Sequence, residues 1–406
     1  MVAVLPDPGG FEITSNIVII GAGACGLVAG IAAREAAFDG ATILLLERDK
    51  SPSGSTALSS GFIPAAGTKL QNEKGIEDSP ERLEADIMAK AKGSAHFPLV
   101  RAVTAEIREA IDWLSSVHGL PFILIDGFLY PGHATYRMHA MPQKTGAALQ
   151  AALLDAAEQC DLPIAGGHRA EILYRDGQGR ITGVGVRTDT DELQMIGCDV
   201  LILACNGYGG NPDLVKEHIP EMAEAHYFGH RSNQGEAVIW GQKIGARLAD
   251  MSGYQGHGSV AWPHGALISW ALMMEGAVLI NKDAERFSNE HEGYSEQAAR
   301  VIAQRGGIGY VLFDERLLGL GRGFPDFVDA EEAGAVISAE TPEELAQKLK
   351  IPLSGLEDTL RHIQDCHTAS SVDPFGRDFT AHPALNAPYK AIRVTGALFH
   401  TQGGLD

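Results

Sequence analysis

The stretch Ile17 to Gly26, I-V-I-I-G-A-G-A-C-G, constrains this chain more than any other. An apolar run goes without a break into G-x-G-x-x-G, and the Ala-rich L-V-A-G-I-A-A-R-E-A-A follows. The first run reads as a buried strand and the second as a helix. A further apolar segment, A-T-I-L-L-L-E-R, ends in an acid at Glu47. Together these make a βαβ unit. Gly21 permits the tight turn, Gly23 lets backbone approach a pyrophosphate, and Gly26 lets helix and strand pack closely. The phosphates of a dinucleotide would meet the N–H groups and positive end of the helix. Glu47 stands about 20 residues further on, where an acid binds ribose hydroxyls. A Gly-rich turn in some other α/β protein is the competing reading. The shared register of strand, glycines, helix, strand and acid disfavours it.

The rest of the chain extends this frame. Residues 51–68, S-P-S-G-S-T-A-L-S-S-G-F-I-P-A-A-G-T, are small and polar and read as a loop. An NAD domain usually continues into further βαβ units, so the loop favours a flavin dinucleotide. Helical patterns cover 79–92, 98–117, 143–159 and 234–246. Strands at 170–174 and 181–187, split by D-G-Q-G-R, form a β-meander, and 199–204 is a third buried strand. From about residue 252 the βαβ rhythm stops and His, Trp, Met and Gly become dense. Thr341, Pro342 and Glu344 mark a capped helix start.

The balance of 32 Lys+Arg against 52 Asp+Glu gives a net charge of −20, which disfavours nucleic acid as a partner. An anionic membrane surface is disfavoured on the same ground. No apolar stretch is long enough for a membrane span, and the first residues lack the pattern of a signal peptide. Five cysteines without C-x-x-C spacing suggest a reduced, cytoplasmic protein with neither disulfides nor a metal site.

Several motifs then follow in order. They are G-A-G-A-C-G, L-L-E-R, G-S-T-A-L-S-S-G-F-I-P-A-A-G-T, R-M-H-A-M-P-Q-K-T-G, I-L-A-C-N-G-Y-G-G-N, N-Q-G-E-A, G-A-V-L-I-N-K-D-A-E-R-F-S-N-E and the final H-T-Q-G-G-L-D. In this order and spacing the chain resembles the FAD-dependent fumarate reductase/succinate dehydrogenase flavoproteins from about residue 16 onward. The resemblance implies an α/β fold. A Rossmann-like FAD-binding domain with an inserted β-meander covers 1–251, with 401–406 as the start of its C-terminal return. An α+β capping domain covers 252–400. It implies pyrophosphate glycines at Gly21, Gly23 and Gly26, and a ribose ligand at Glu47 with Arg48 beside it. Ser55, Thr56, Ser60 and Gly61 match the loop beside pyrophosphate and flavin, and Ala170 matches the position whose backbone meets adenine. Asn206 and Gly207 match the turn after the third strand. Glu236 stands where the family usually has Asp. Covalent-flavin members carry a His in the loop after the second strand; residues 51–61 have none, so non-covalent FAD is expected. The family continues beyond H-T-Q-G-G with a further flavin-contacting segment, so the resemblance expects the chain as written to hold FAD weakly.

The same resemblance supplies candidates for chemistry. His257 and Ser269 match a substrate-binding His and the Thr twelve residues beyond it, and His400 matches a second substrate-binding His. Tyr294 stands where the reductases place a proton-delivering Arg. Trp270 and Met273 replace the Glu and Arg that feed it. Arg286 matches a structural Arg. Ketosteroid dehydrogenases of the superfamily are similar in using Tyr, and a phenol doing this work would need its pKa lowered. Trp262, Trp270, Met273 and Met274 are then either walls for a bulkier, less charged substrate or core packing. The expected activity is hydride transfer between flavin N5 and a C–C bond next to a carbonyl or carboxyl group. A small-molecule substrate and an unidentified electron donor or acceptor are implied. The alternatives are a flavoprotein electron-transfer subunit of a succinate dehydrogenase-type complex and a non-catalytic dinucleotide-binding protein.

Overall fold

The computed structural model describes residues 2–38, 40–126, 129–130 and 132–406. The chain divides into two compact units. The first comprises 1–211, 229–253 and 401–406, and the second 212–228 and 254–400.

The first unit is built on a seven-stranded sheet. Its order is Ala3–Pro6, Arg169–Arg175, Ile181–Arg187, Leu193–Leu203, Ile13–Ile20, Ile43–Leu46 and Ile164–Ala165. Ile13–Ile20 pairs in parallel with both Leu193–Leu203 and Ile43–Leu46, so Val18 lies between Leu201 and Leu44. A strand flanked on both sides in this way is buried on both faces. Ile19, Leu27, Ile31 and Leu153 pack on one face, and Val18, Leu173, Val186 and Trp240 on the other. The meander strands pair antiparallel. The third strand starts at Leu193, earlier than the apolar run 199–204 implies. Its first half closes the meander and its second half joins the parallel sheet. The helix expected from residue 143 begins at Gly146. Lys144 has φ of 56°, and Thr145 caps the helix by accepting from Ala148 N at 3.3 Å.

The second unit is organised around one long strand, Tyr389–Thr401. It pairs with Ile308–Asp314, Val336–Ala339 and His226–Tyr227, and also with Tyr254–Ala261. The His226–Tyr227 pairing places 212–228 with this unit, although the sequence pattern put it in the first. The Gly-rich segment after residue 252 contains a strand. Gly256 and Gly258 serve close packing: a Cβ there would lie 2.6 Å from Ala298 Cβ and 2.7 Å from Gln297 Cβ. Both neighbours belong to the helix Tyr294–Ile302, which therefore lies directly on the strand that carries His257. The helix at Pro342 starts as its cap predicts, with Thr341 Oγ1 accepting from Glu344 N at 3.3 Å.

Candidate functional site

In the first unit a cavity of about 460 Å³ opens where the fingerprint turn, the ends of three strands and the loop 229–235 converge. Its wall holds Gly21, Gly23, Glu47, Arg48, Ser55, Thr56, Ala170, Asn206 and Glu236. Gly21 has φ of +108°, and a Cβ there would fall 2.4 Å from Ala204 O, so both conformation and space require glycine. Glu47 accepts from Ala22 N at 2.8 Å through one oxygen and from Asp49 N at 3.0 Å through the other. Each carboxylate oxygen has further lone pairs, which suits hydroxyl donors of a ribose. Thr56 Oγ1 accepts from Ala24 N at 2.9 Å at the start of the fingerprint helix. Ser55 Oγ accepts from Asn206 and Asn233 at 2.6 and 3.0 Å, which fixes the loop to the turn after the third strand.

Arg48 is not available as a free cation. It donates to Ser232 O at 2.6 Å and to Glu236 Oε1 at 2.8 Å. Glu236 Oε2 and Trp240 Nε1 are buried, lie on residues that line the cavity, and have no partner among the described residues. A buried acceptor and a buried donor in this state call for polar partners that the protein does not itself supply. The wall therefore fits a dinucleotide: a glycine cradle at a helix N-terminus, a carboxylate for ribose, and two orphaned polar atoms.

Four expected residues lie outside this wall, and their packing shows why. A Cβ on Gly26 would sit 1.8 Å from Gly21 O, the close packing expected of the third glycine. Gly61 has φ of +67° and faces Thr145 O, joining the loop to a helix start. Gly207 lies against Thr401, whose Oγ1 a Cβ would meet at 2.1 Å. Ser60 is exposed, and Ser59 makes the local bonds instead. Sequence reasoning passed over His168, His230, Asp49, Asn233 and Trp240, all in the wall. His230 pairs with Asp49 at 3.0 Å. The available signal was adjacency, because each of these residues sits within a few positions of a recognised motif.

In the second unit the fold brings His257 and Tyr294 together. Their rings stack with centroids 5.2 Å apart at 17°. Trp270 meets His257 edge-on at 5.6 Å, and Phe399 lies 5.9 Å away. His257 is buried within the strand Tyr254–Ala261. Burial drives its pKa down to about 3, so the imidazole is neutral. Ser259 N donates to His257 Nδ1 at 3.2 Å, and the Ser259 hydroxyl is committed to Ile268 O at 2.7 Å. A nitrogen that accepts carries no proton, so the proton is on Nε2. The Tyr294 pKa is raised, first by burial and then by the charge of Glu296. The surroundings therefore do not supply the lowering that a phenol acting as acid or base would need; they hold the phenol protonated. Ser269 accepts from Ala271 N at 3.3 Å, and His400 Nε2 lies 2.7 Å from Gln255 Oε1.

The reading of Trp262, Trp270, Met273 and Met274 as pocket walls gives way to packing. Trp270 and Met273 are core residues and the other two pack against that core. Trp270 Nε1 donates to Glu290 O at 3.1 Å, and Arg377 donates to Met273 O at 2.7 Å. Arg286 is structural. It binds Glu290 in two-pronged fashion at 3.0 and 2.7 Å, pairs with Asp373, and stacks 4.7 Å from the Phe379 ring centre. Arg377 joins Glu290 at 2.9 Å. Burial pushes the Glu290 pKa up, but the hydrogen bonds and charges of the arginines outweigh it and hold it down. Among the described residues no cluster suits a metal ion, and no helix is long and apolar enough to cross a membrane.

Comparison with known proteins fixes the class. Residues 16–406 match the family model described as FAD binding domain, and the chain belongs to that family. Its relatives include the probable fumarate reductase Ifc3 of Shewanella frigidimarina, 25% identical over 396 residues, covering 97% of this chain and 66% of that protein. Another is the urocanate reductase of Eggerthella lenta, 28% identical over 418 residues, covering 99% of this chain and 67% of that protein. The chain thus spans about two thirds of the length of these relatives. Among solved structures it superposes on the open conformation of a flavocytochrome c3 fumarate reductase with a TM-score of 0.81 and 26% identity, covering 98% of this chain and 69% of that one. The cavity in the first unit has a wall that fits FAD. Gly21 and Gly23 would face its pyrophosphate, and Glu47 its ribose.

Proposed function

We propose that this protein is an FAD-dependent oxidoreductase acting on a carbon–carbon bond next to a carbonyl or carboxyl group. The observation that carries this reading is the stack of a neutral His257 on a protonated Tyr294, in a chain whose other unit has the cavity of an FAD-binding family. FAD supplies hydride chemistry when bound. The protein's part is to bind and orient the substrate and to move the second proton. Tyr294 holds that proton at its phenol oxygen and delivers it to the substrate carbon in the reductive direction. His257 donates through Nε2 to the substrate's oxygen. Ser269 and His400 lie further along the same unit and orient the remainder of the substrate. Relatives are named as fumarate and urocanate reductases, and these names support the reaction class. FAD is held without a covalent bond, electrons come from or go to a separate partner, and five free cysteines suit a cytoplasmic setting.

The test is anaerobic. The protein is loaded with excess FAD, reduced with dithionite, and mixed with a panel of conjugated enones and enoates. Reoxidation of the flavin by at least one of them is expected. In Tyr294→Phe the rate should fall 10²- to 10⁴-fold, the usual contribution of a positioned acid, with flavin content unchanged. A bound flavin that no C=C compound reoxidises, but that a redox protein does, would make the chain an electron-transfer subunit instead.

A further inference from the structure

The substrate class can be argued from the charges around His257 and Tyr294. This inference rests on the reading above. Among the described residues neither His257 Nε2 nor the Tyr294 hydroxyl has a hydrogen-bond partner, and neither is among the buried polar atoms left without one. Neither atom is committed to a partner within the described residues. Burial alone acts on His257, with no contribution from a charged neighbour. The charge that bears on Tyr294 is that of Glu296, and it is negative. The two buried guanidiniums of the unit, Arg286 and Arg377, are taken up by Glu290 and Asp373. An aromatic wall completes the face: Phe399 lies beside His257 and packs on Phe228 at 5.6 Å.

Carboxylates leave water at acceptable cost when a cation or several donors receive them. This face offers one neutral N–H and one neutral O–H, beside rings suited to a flat apolar partner. We propose that the substrate is a planar, uncharged conjugated ketone, its carbonyl oxygen bound by His257 Nε2–H and its plane set against Phe399. The bookkeeping of the reduction is complete with groups already named. With FAD bound and reduced by the electron donor, hydride would go from the flavin, which is thereby oxidised, to the carbon β to the carbonyl. The Tyr294 proton would go to the α carbon, the phenolate would regain a proton from water, and the C=C π bond would be consumed.

The experiment compares 4-phenylbut-3-en-2-one, cinnamate and fumarate on the holoenzyme. The first two share one flat skeleton and differ in ketone against carboxylate. Reoxidation of reduced enzyme should favour the ketone at least tenfold in kcat/KM over cinnamate, with fumarate slower still. Calorimetric binding to the oxidised enzyme should give the same order. His257→Phe should lower kcat/KM for the ketone 10- to 100-fold, and His257→Gln, which keeps a donor, should restore most of it. Nitrogen-15 spectra of histidine-labelled protein should show the His257 resonance as the Nε2–H tautomer. A preference for cinnamate or fumarate overturns the substrate class and leaves the enzyme reading standing. Failure of all three compounds to reoxidise the flavin overturns both.

Discussion

The two units use charge in opposite ways. The cavity of the first unit is lined by charged groups, Glu47, Arg48, Asp49 and Glu236, fixed by backbone donors and by one another. In the second unit Arg286, Glu290, Arg377 and Asp373 form one buried set, Lys390 pairs separately with Glu315, and the His257–Tyr294 pair is neutral. Chemistry that recognises a phosphate-and-sugar cofactor needs charge and hydrogen-bond capacity. The second unit's charge is spent on holding its own core, and its open donors are uncharged.

That contrast can be broken at four points. The largest effect is expected at Glu290→Gln, which leaves two buried guanidiniums short of an anion. Removing one partner of a buried pair costs about 3–5 kcal/mol, so the urea midpoint should fall sharply. A change within experimental error would mean the network is not structural. Next is Glu47→Ala, which removes the charged acceptor in the cavity. FAD affinity, measured by titrating flavin into the stripped protein, should weaken by about 1.5–3 kcal/mol. The stability of the second unit should be unaffected.

The third point is a pH effect. The His257 pKa of about 3 in the folded chain lies below the value of about 6.5 for a free imidazole. Between those values the unfolded chain binds a proton that the folded chain does not, so stability falls as pH drops from about 6.5 toward about 3. From pH 7 to pH 5 this should amount to about 2 kcal/mol, at 1.36 kcal/mol per pH unit. His257→Phe should show a smaller loss over that interval. An equal loss in both proteins would place the imidazole in water. The smallest effect belongs to Thr341→Ala, far from either cluster. Loss of that helix cap should cost about 1 kcal/mol and leave flavin content and turnover alone.

The first unit's site was legible because its signals are local. Gly21, Gly23, Gly26 and Glu47 lie within one βαβ unit, and the spacing itself encodes the geometry. Neighbours such as His230 and Trp240 reach the same cavity from a distant part of the chain, and periodicity carries no trace of that. In the second unit the order of motifs pointed to His257 and Tyr294, which the fold stacks on each other, while their protonation state depended on packing. Tyr294 was expected to need a lowered pKa; burial and Glu296 raise it. Trp270 and Met273, at positions that the resemblance assigned to a proton relay, became core once the helix Tyr294–Ile302 and the long strand Tyr389–Thr401 were in place. The Gly-rich run around His257 shows no strand periodicity. Its glycines instead let a helix lie on a strand, a distinction that only the tertiary neighbour Ala298 makes visible.

The most direct measurement is the pH profile, from pH 6 to pH 9, of flavin reoxidation by 4-phenylbut-3-en-2-one in the wild type and in His257→Gln. His257 titrates near 3 and Tyr294 above its ordinary value of about 10, so neither changes charge in this range. The two profiles should have the same shape and differ in height alone. A limb near pH 6.5 in the wild type that disappears in His257→Gln would show a titrating imidazole, and the neutral second unit would be wrong.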